Sequence, residues 1–199
     1  MRRLFFLVII LLPVDNHIDL FGQPRMEPQG TPIKVTQLAG TPNTGIRWSY
    51  TSVMSCLTES QRIIVRDGDA WKDLWERMWD PRCSAHGFSV EPDGTKVLKR
   101  APLPEIDFNR EMLIVAVMGE KPHSGYGIIV DQAFEHDDKL EITVRSVSVQ
   151  CGGFLTVMTD PMDIVRISKS ERPIVFREVQ STMDCKTGTL RDAPGDVLR

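Results

Sequence analysis

A chain of 199 residues with a formal net charge of -3 and a pI near 5.8 can bury one sizeable core. It lacks the basic surface that a nucleic-acid partner requires. Its four cysteines, Cys56, Cys83, Cys151 and Cys185, are isolated from one another, which argues against a zinc site and for two disulfides or free thiols.

Arg2-Arg3 followed by the apolar run Leu4 to Leu12 has the charge and h-region of a secretory signal. Residues 1–22 are therefore expected to be a signal peptide, with Gly22 the best small residue before a polar stretch. The run is too short for an ordinary membrane anchor, so no integral membrane segment is expected after removal. The expected location is secreted, periplasmic or cell envelope. Residues 23–44 shift to Pro, Gly, Thr and Gln and predict a flexible linker. One domain is then expected over 45–181, with a polar tail over 182–199.

Within that domain, Ile46 to Val53 and Arg62 to Arg66 predict two short strands. Asp67-Gly68-Asp69 ends the second, with Asp69 as the expected cap of a helix over Ala70–Trp79. Trp71, Leu74, Trp75 and Met78 recur at the spacing of one helical face, which predicts a core-facing stripe rather than a carbohydrate platform. Arg82 to Asp107 is polar and turn-rich and predicts a long connection tied down at Cys83.

Met112 to Met118 is an unbroken apolar run of strand formers, the pattern of a strand buried on both faces. The loop Gly119-Glu120-Lys121-Pro122-His123-Ser124-Gly125 follows, shaped by one proline and two glycines, and Tyr126 to Val130 opens the next strand. Glu135-His136-Asp137-Asp138 predicts a solvated hairpin turn. Leu140, Ile142 and Val144 alternate, whereas Val147 and Val149 continue out of phase, which predicts a bulge near Ser146. Gln150-Cys151-Gly152-Gly153 is a second glycine-dependent loop, and Glu171-Arg172-Pro173 a third. Ile164 to Ile167 and Ile174 to Phe176 predict the closing strands. Short strands with one amphipathic helix make a mostly β domain, a sandwich or small barrel of antiparallel strands; α+β is the alternative.

No catalytic constellation is visible. Pro122-His123-Ser124-Gly125-Tyr126 lacks the spacing of a nucleophile elbow, and there is no dinucleotide or phosphate-loop motif. No cofactor, metal or catalytic residue is expected, and the chain is not expected to be an enzyme. A rigid β scaffold presenting shaped loops suits a protein partner instead. The predicted contact loop is Lys121, Pro122, His123, Ser124, Gly125 and Tyr126, with Tyr126 pinning it from beneath and the first four exposed. Gly152, Gly153, Arg172 and Pro173 are the second and third candidates. Four cysteines allow three pairings; Cys56 with Cys83 and Cys151 with Cys185 close the two shortest loops that do not overlap.

The G-x-K-P-x-x-G-Y loop after a Leu-Ile-Val-Ala-Val strand resembles the PrcB family. So do Arg62 to Asp67, Leu103 to Phe108, Asp160-Pro161 and Val175-Phe176, in that order, over about residues 62–178. His123-Ser124 stands where threonine and glycine are usual, and no lipobox cysteine follows the h-region. The resemblance implies an exported, non-enzymatic bacterial module that binds protein and stabilises or scaffolds an extracellular or envelope protease complex. A weaker similarity is to chagasin-type peptidase inhibitors, through Lys121 to Tyr126, Cys151-Gly152-Gly153 and Arg172-Pro173. It implies an immunoglobulin-like sandwich and an inhibitor that wedges loops into a protease cleft. An uncharacterised hydrolase is the third alternative.

Overall fold

A computed structural model describes residues 30–38, 56–78, 88–90, 92–94, 96–98, 102–149, 158–193 and 197–198. Among these residues the fold is mostly β, two packed sheets with one helix, as the alternating short apolar segments predict. Among the described residues there are twelve strands: β1 (Thr31–Ile33), β2 (Thr36–Gln37), β3 (Gln61–Val65), β4 (Phe88–Val90), β5 (Lys96–Leu98), β6 (Glu111–Val117), β7 (Tyr126–Glu135), β8 (Leu140–Val149), β9 (Met162–Ser168), β10 (Ile174–Met183), β11 (Leu190–Asp192) and β12 (Val197–Leu198). The helix α1 spans Gly68–Met78. The first sheet runs β1-β7-β8-β10-β11, with β12 also on β10; the second runs β2-β9-β6-β3.

The second sheet is the middle of three layers, and β6 explains why. Met112, Ile114 and Ala116 join Ile128, Val130, Ile142 and Val144 in the core between the sheets. Leu113, Val115 and Val117 point the other way, against Trp71, Leu74, Trp75 and Met78 of α1. A strand with two apolar faces needs two apolar neighbours, and residues 112–117 are completely buried. The tryptophan stripe is thus core, with Trp71 and Trp75 ring centroids 5.2 Å apart.

Several expectations are corrected. The helix cap is Asp67 rather than Asp69: its Oδ1 accepts from the Ala70 N–H at 2.8 Å, and its carbonyl accepts from the Trp71 N–H. The bulge lies in β7, at Asp131 between Val130 and Gln132, and not near Ser146. β8 instead keeps unbroken register with β10 from Leu140 to Val149. Val147 is buried out of phase because it shares the other face of the sheet with Val179 and Ser181, which are covered as well. The β8–β10 pair is also parallel, against an antiparallel expectation. Between these two strands the chain crosses to the second sheet as β9, so β10 re-enters in the direction of β8.

Strand pairing extends past both ends of the span 45–181. β1 and β2 fall within the segment expected to be a flexible linker, yet they pair with β7 and β9. Ile33 and Val35 reach the core between the sheets, while Leu38 reaches the core under the helix. At the other end β11 and β12 lie in the expected tail and pair with β10. Arg145 on β8 ion-pairs with Asp131 on β7 and with Asp192 on β11, and Ser181 on β10 donates to Asp192 at 2.7 Å. The polar connection before residue 107 holds the β4–β5 hairpin. The strand expected over Ile46–Val53 lies outside the described residues, as does the signal segment.

Polar side chains also join the sheets. Arg62 on β3 grips Glu178 on β10 with Nε and Nη2, both at 2.8 Å, the bidentate geometry that suits guanidinium and carboxylate. Asp163 on β9 is 1% exposed, and its Oδ2 accepts from the Val130 N–H at 2.8 Å. That N–H stands at the β7 bulge, so the carboxyl bridges from the second sheet to a break in the first.

Among the described residues no cysteine is free, and Cys56 and Cys185 are disulfide-bonded. Cys83 and Cys151, their expected partners, lie outside the described residues.

Candidate functional site

The β6–β9 ladder does not end where the strands do. Val117 pairs with Met162, the Met118 N–H donates to Pro161 O at 2.8 Å, and Lys121 pairs with Thr159 through two bonds of 2.7 and 2.9 Å. Gly119 and Glu120 therefore stand opposite the single residue Asp160. Gly119 has φ of 75°, the left-handed conformation of the first residue of a glycine bulge. A Cβ there would come within 2.9 Å of both Thr58 O and Ser60 N, and Glu120 N–H donates to that same Thr58 carbonyl at 3.0 Å. Gly119→Ala is expected to cost about 2–3 kcal/mol, from backbone strain and collision with fixed backbone. Urea denaturation of the two proteins measures it; an unchanged midpoint would mean that the bulge is not clamped.

Beyond the bulge the loop folds over Tyr126. The His123 ring lies 4.7 Å from the Tyr126 ring, and Lys121 Nζ stands 5.9 Å from its centroid. His123 Nδ1 accepts from the Gly125 N–H at 3.1 Å, and its carbonyl accepts from Thr159 Oγ1 at 3.2 Å. Gly125 O accepts from the Val149 N–H at 2.8 Å, which ties the loop to the end of β8. Tyr126 does pin the loop. The expectation of four exposed tip residues is corrected: Pro122 and Glu120 are exposed, whereas Lys121, His123 and Ser124 are half-buried. Lys121 and His123 are spent on packing against Tyr126, a contact set by the Lys121–Thr159 pairing. Met158, 42% exposed, adds an apolar side chain next to that pairing.

The third candidate loop lies elsewhere. Arg172 Nε is 3.5 Å from Glu135 Oε1, and Pro173 O accepts from Leu140 N–H, both at the β7–β8 turn. Tyr126 begins β7 and Glu135 ends it, a separation of roughly 30 Å at the rise of a strand. Arg172 and Pro173 therefore do not share a surface with Lys121 to Tyr126. Gly152 and Gly153 lie outside the described residues.

The structure adds residues that the sequence reading passed over. Thr159 and Met158 support the loop although their stretch reads only as a turn. Asp163 sits inside an apolar strand, and that misplaced charge was the available signal. Burial pushes its carboxyl up from 3.8 to about 6, against the lowering pull of the Val130 and Ile164 N–H groups. Asp160 is also raised, by burial and by the negative charge of Glu120. No three His, Cys, Asp or Glu side chains converge among the described residues.

The segment from β6 through the bulge, the loop, β7, β8 and β9 is a continuous unit with a known counterpart. Residues 112–168 match the family model described as PrcB C-terminal. The PrcB C-terminal match begins at the doubly buried strand, takes in the whole loop and closes on the strand that pairs with it. It is narrower than the 62–178 expected, leaving out β3, α1 and β10. Those elements pack against the matched unit and fasten its sheets. No curated protein and no solved structure matches the chain.

Proposed function

We propose that this chain is an exported, non-enzymatic protein-binding module that stabilises or scaffolds a protease complex outside the cell or in its envelope. The match of residues 112–168 to the PrcB C-terminal family carries this reading, because the matched unit is built around the loop. The loop's construction suits binding. Its backbone is bonded to β8, to residues 58 and 159, and its side chains stack on Tyr126, so little conformational freedom remains to be lost on association. Pro122, Met158 and Glu120 are what it offers a partner. The apolar run with two preceding arginines at residues 1–22 supports export.

The test uses the full chain and protease complexes purified from the native envelope fraction. Pro122→Arg changes an exposed side chain and should leave the melting temperature within about 1 °C, yet weaken binding at least tenfold, about 1.4 kcal/mol. Tyr126→Ala should lower stability and binding together. Equal affinity of Pro122→Arg and the parent would remove the loop from the interface. Peptide or ester turnover by the purified chain would overturn the non-enzymatic assignment.

A further inference from the structure

The edges of the two sheets are finished differently. β1 lies along β7 and β2 along β9, while β11 and β12 lie along β10. These edge strands are two or three residues long, the short edges by which natural sheets avoid further pairing. β3 is five residues long, pairs with β6, and has nothing on its outer side among the described residues. Every second residue of an antiparallel strand turns its N–H and C=O away from its partner, so this edge offers main-chain groups to a further strand. The Gln61 carbonyl is already taken by Arg62 Nη1 at 2.9 Å, which leaves the stretch from Arg62 to Val65.

The side chains along this edge leave one charge unmatched. Ile63 and Val65 stand opposite Val115 and Leu113 and face the helix. Arg62, Ile64 and, one step past the strand, Arg66 therefore alternate onto the other face. Ile64 is 37% exposed, and Arg62 is occupied by Glu178. Arg66 has no such counter-charge among the described residues. Its Nε is shut off from water without a hydrogen-bond partner, and the neighbouring Asp67 is committed to the cap of α1. A half-buried guanidinium in this state is complementary to a carboxylate brought by a partner, which it can hold through two parallel bonds. We propose that the edge of β3 accepts an extended segment of a partner protein as an added strand, with an apolar side chain opposite Ile64 and a carboxylate, two residues along, opposite Arg66. Main-chain bonds supply the attachment, and these two positions supply the selectivity. The site is distinct from the Pro122 loop and does not rest on that loop's role.

The full chain is titrated into a fluorescein-labelled peptide of about seven residues, threonine-rich, with a central valine and a glutamate two residues to either side of it. Anisotropy should show saturable binding that weakens about tenfold when both glutamates become glutamine, and about tenfold on Arg66→Gln. The two losses should not add, because they remove the same pair. N-methylation of alternate peptide amides should abolish binding by removing main-chain donors. The changes on the peptide test the site even where a change in the chain disturbs folding. No saturable binding up to about 1 mM peptide, or equal affinity for the glutamate and glutamine peptides, would overturn the proposal. So would sedimentation of the chain alone as a dimer that Ile64→Glu dissolves, which would give the edge to a second copy.

Discussion

Replacing Trp71 with alanine should destabilise the protein by about 3–5 kcal/mol, whereas Lys72→Ala should cost less than about 0.5. Trp71 is 2% exposed and fills the space between α1 and the outer face of the middle sheet, against Trp75, Leu113 and Val115. Its indole N–H also donates to Pro104 O at 3.0 Å, which holds the segment leading into β6. Alanine leaves a cavity that strand and helix cannot both close, and leaves the Pro104 carbonyl without that donor. Trp71→Phe separates the two losses: it keeps most of the ring volume and should cost about 1–2 kcal/mol, from the lost hydrogen bond and the smaller ring. Urea midpoints of the three variants decide it. Equal midpoints for Trp71→Ala and Lys72→Ala would contradict the facing of the helix.

The second large effect is one of pH. Asp163 holds its proton in the fold up to about 6, against 3.8 for an ordinary carboxyl, chiefly because it is buried between the sheets. As pH rises from about 4 to about 6 the unfolded chain releases this proton while the folded chain keeps it. The unfolded state is thereby favoured, so this group's contribution to stability falls through that window and is level above it. The gap corresponds to roughly 3 kcal/mol. Asp163→Asn keeps an oxygen to accept from the Val130 N–H and has no proton to lose. Relative to this variant, the parent should therefore be more stable at pH 4 than at pH 7 by roughly that amount. Denaturant titrations of both proteins at pH 4, 5, 6 and 7 test it. Parallel curves would mean that Asp163 is charged and solvated in the fold, contrary to its burial.

Much of the scaffold was legible because its signals are local. The four residues of the α1 stripe fix its buried face by helical spacing alone. The run from Met112 to Met118 announces a strand with two covered faces, whichever elements cover them. β1 and β2 were not legible, because Thr31–Ile33 and Thr36–Gln37 carry linker-like composition. Their order comes from backbone pairing with β7 and β9, which depends on distant strands being in place. A parallel β8–β10 pair leaves no trace either, since alternation has the same period in parallel and antiparallel sheets. The phase slip at Val147 reads as a bulge but marks a second covered face, because the two produce the same pattern, and the bulge at Asp131 on β7 left no such slip. In the loop, Gly119 takes the left-handed backbone that glycine allows, whereas Gly125 does not. The packing of Lys121 and His123 onto Tyr126 was hidden, because it follows from the pairing of Lys121 with Thr159 across the second strand. Asp160 was hidden for a related reason: a carboxyl beside a turn proline does not disclose whether the fold buries it.

The measurement that bears most directly on the central claim, that the PrcB-like loop is the partner-facing surface, is site-specific photocrosslinking in the native host. A photoreactive residue is placed at Pro122, the exposed tip of the loop, and separately at Asp137, exposed in the turn at the far end of β7. The loop's role predicts crosslinks from position 122 to a subunit of a protease complex, diminished when Tyr126→Ala is added, and none to that subunit from position 137. Crosslinks to it from position 137 with none from position 122 would contradict the account and move the interface to the opposite end of the sandwich.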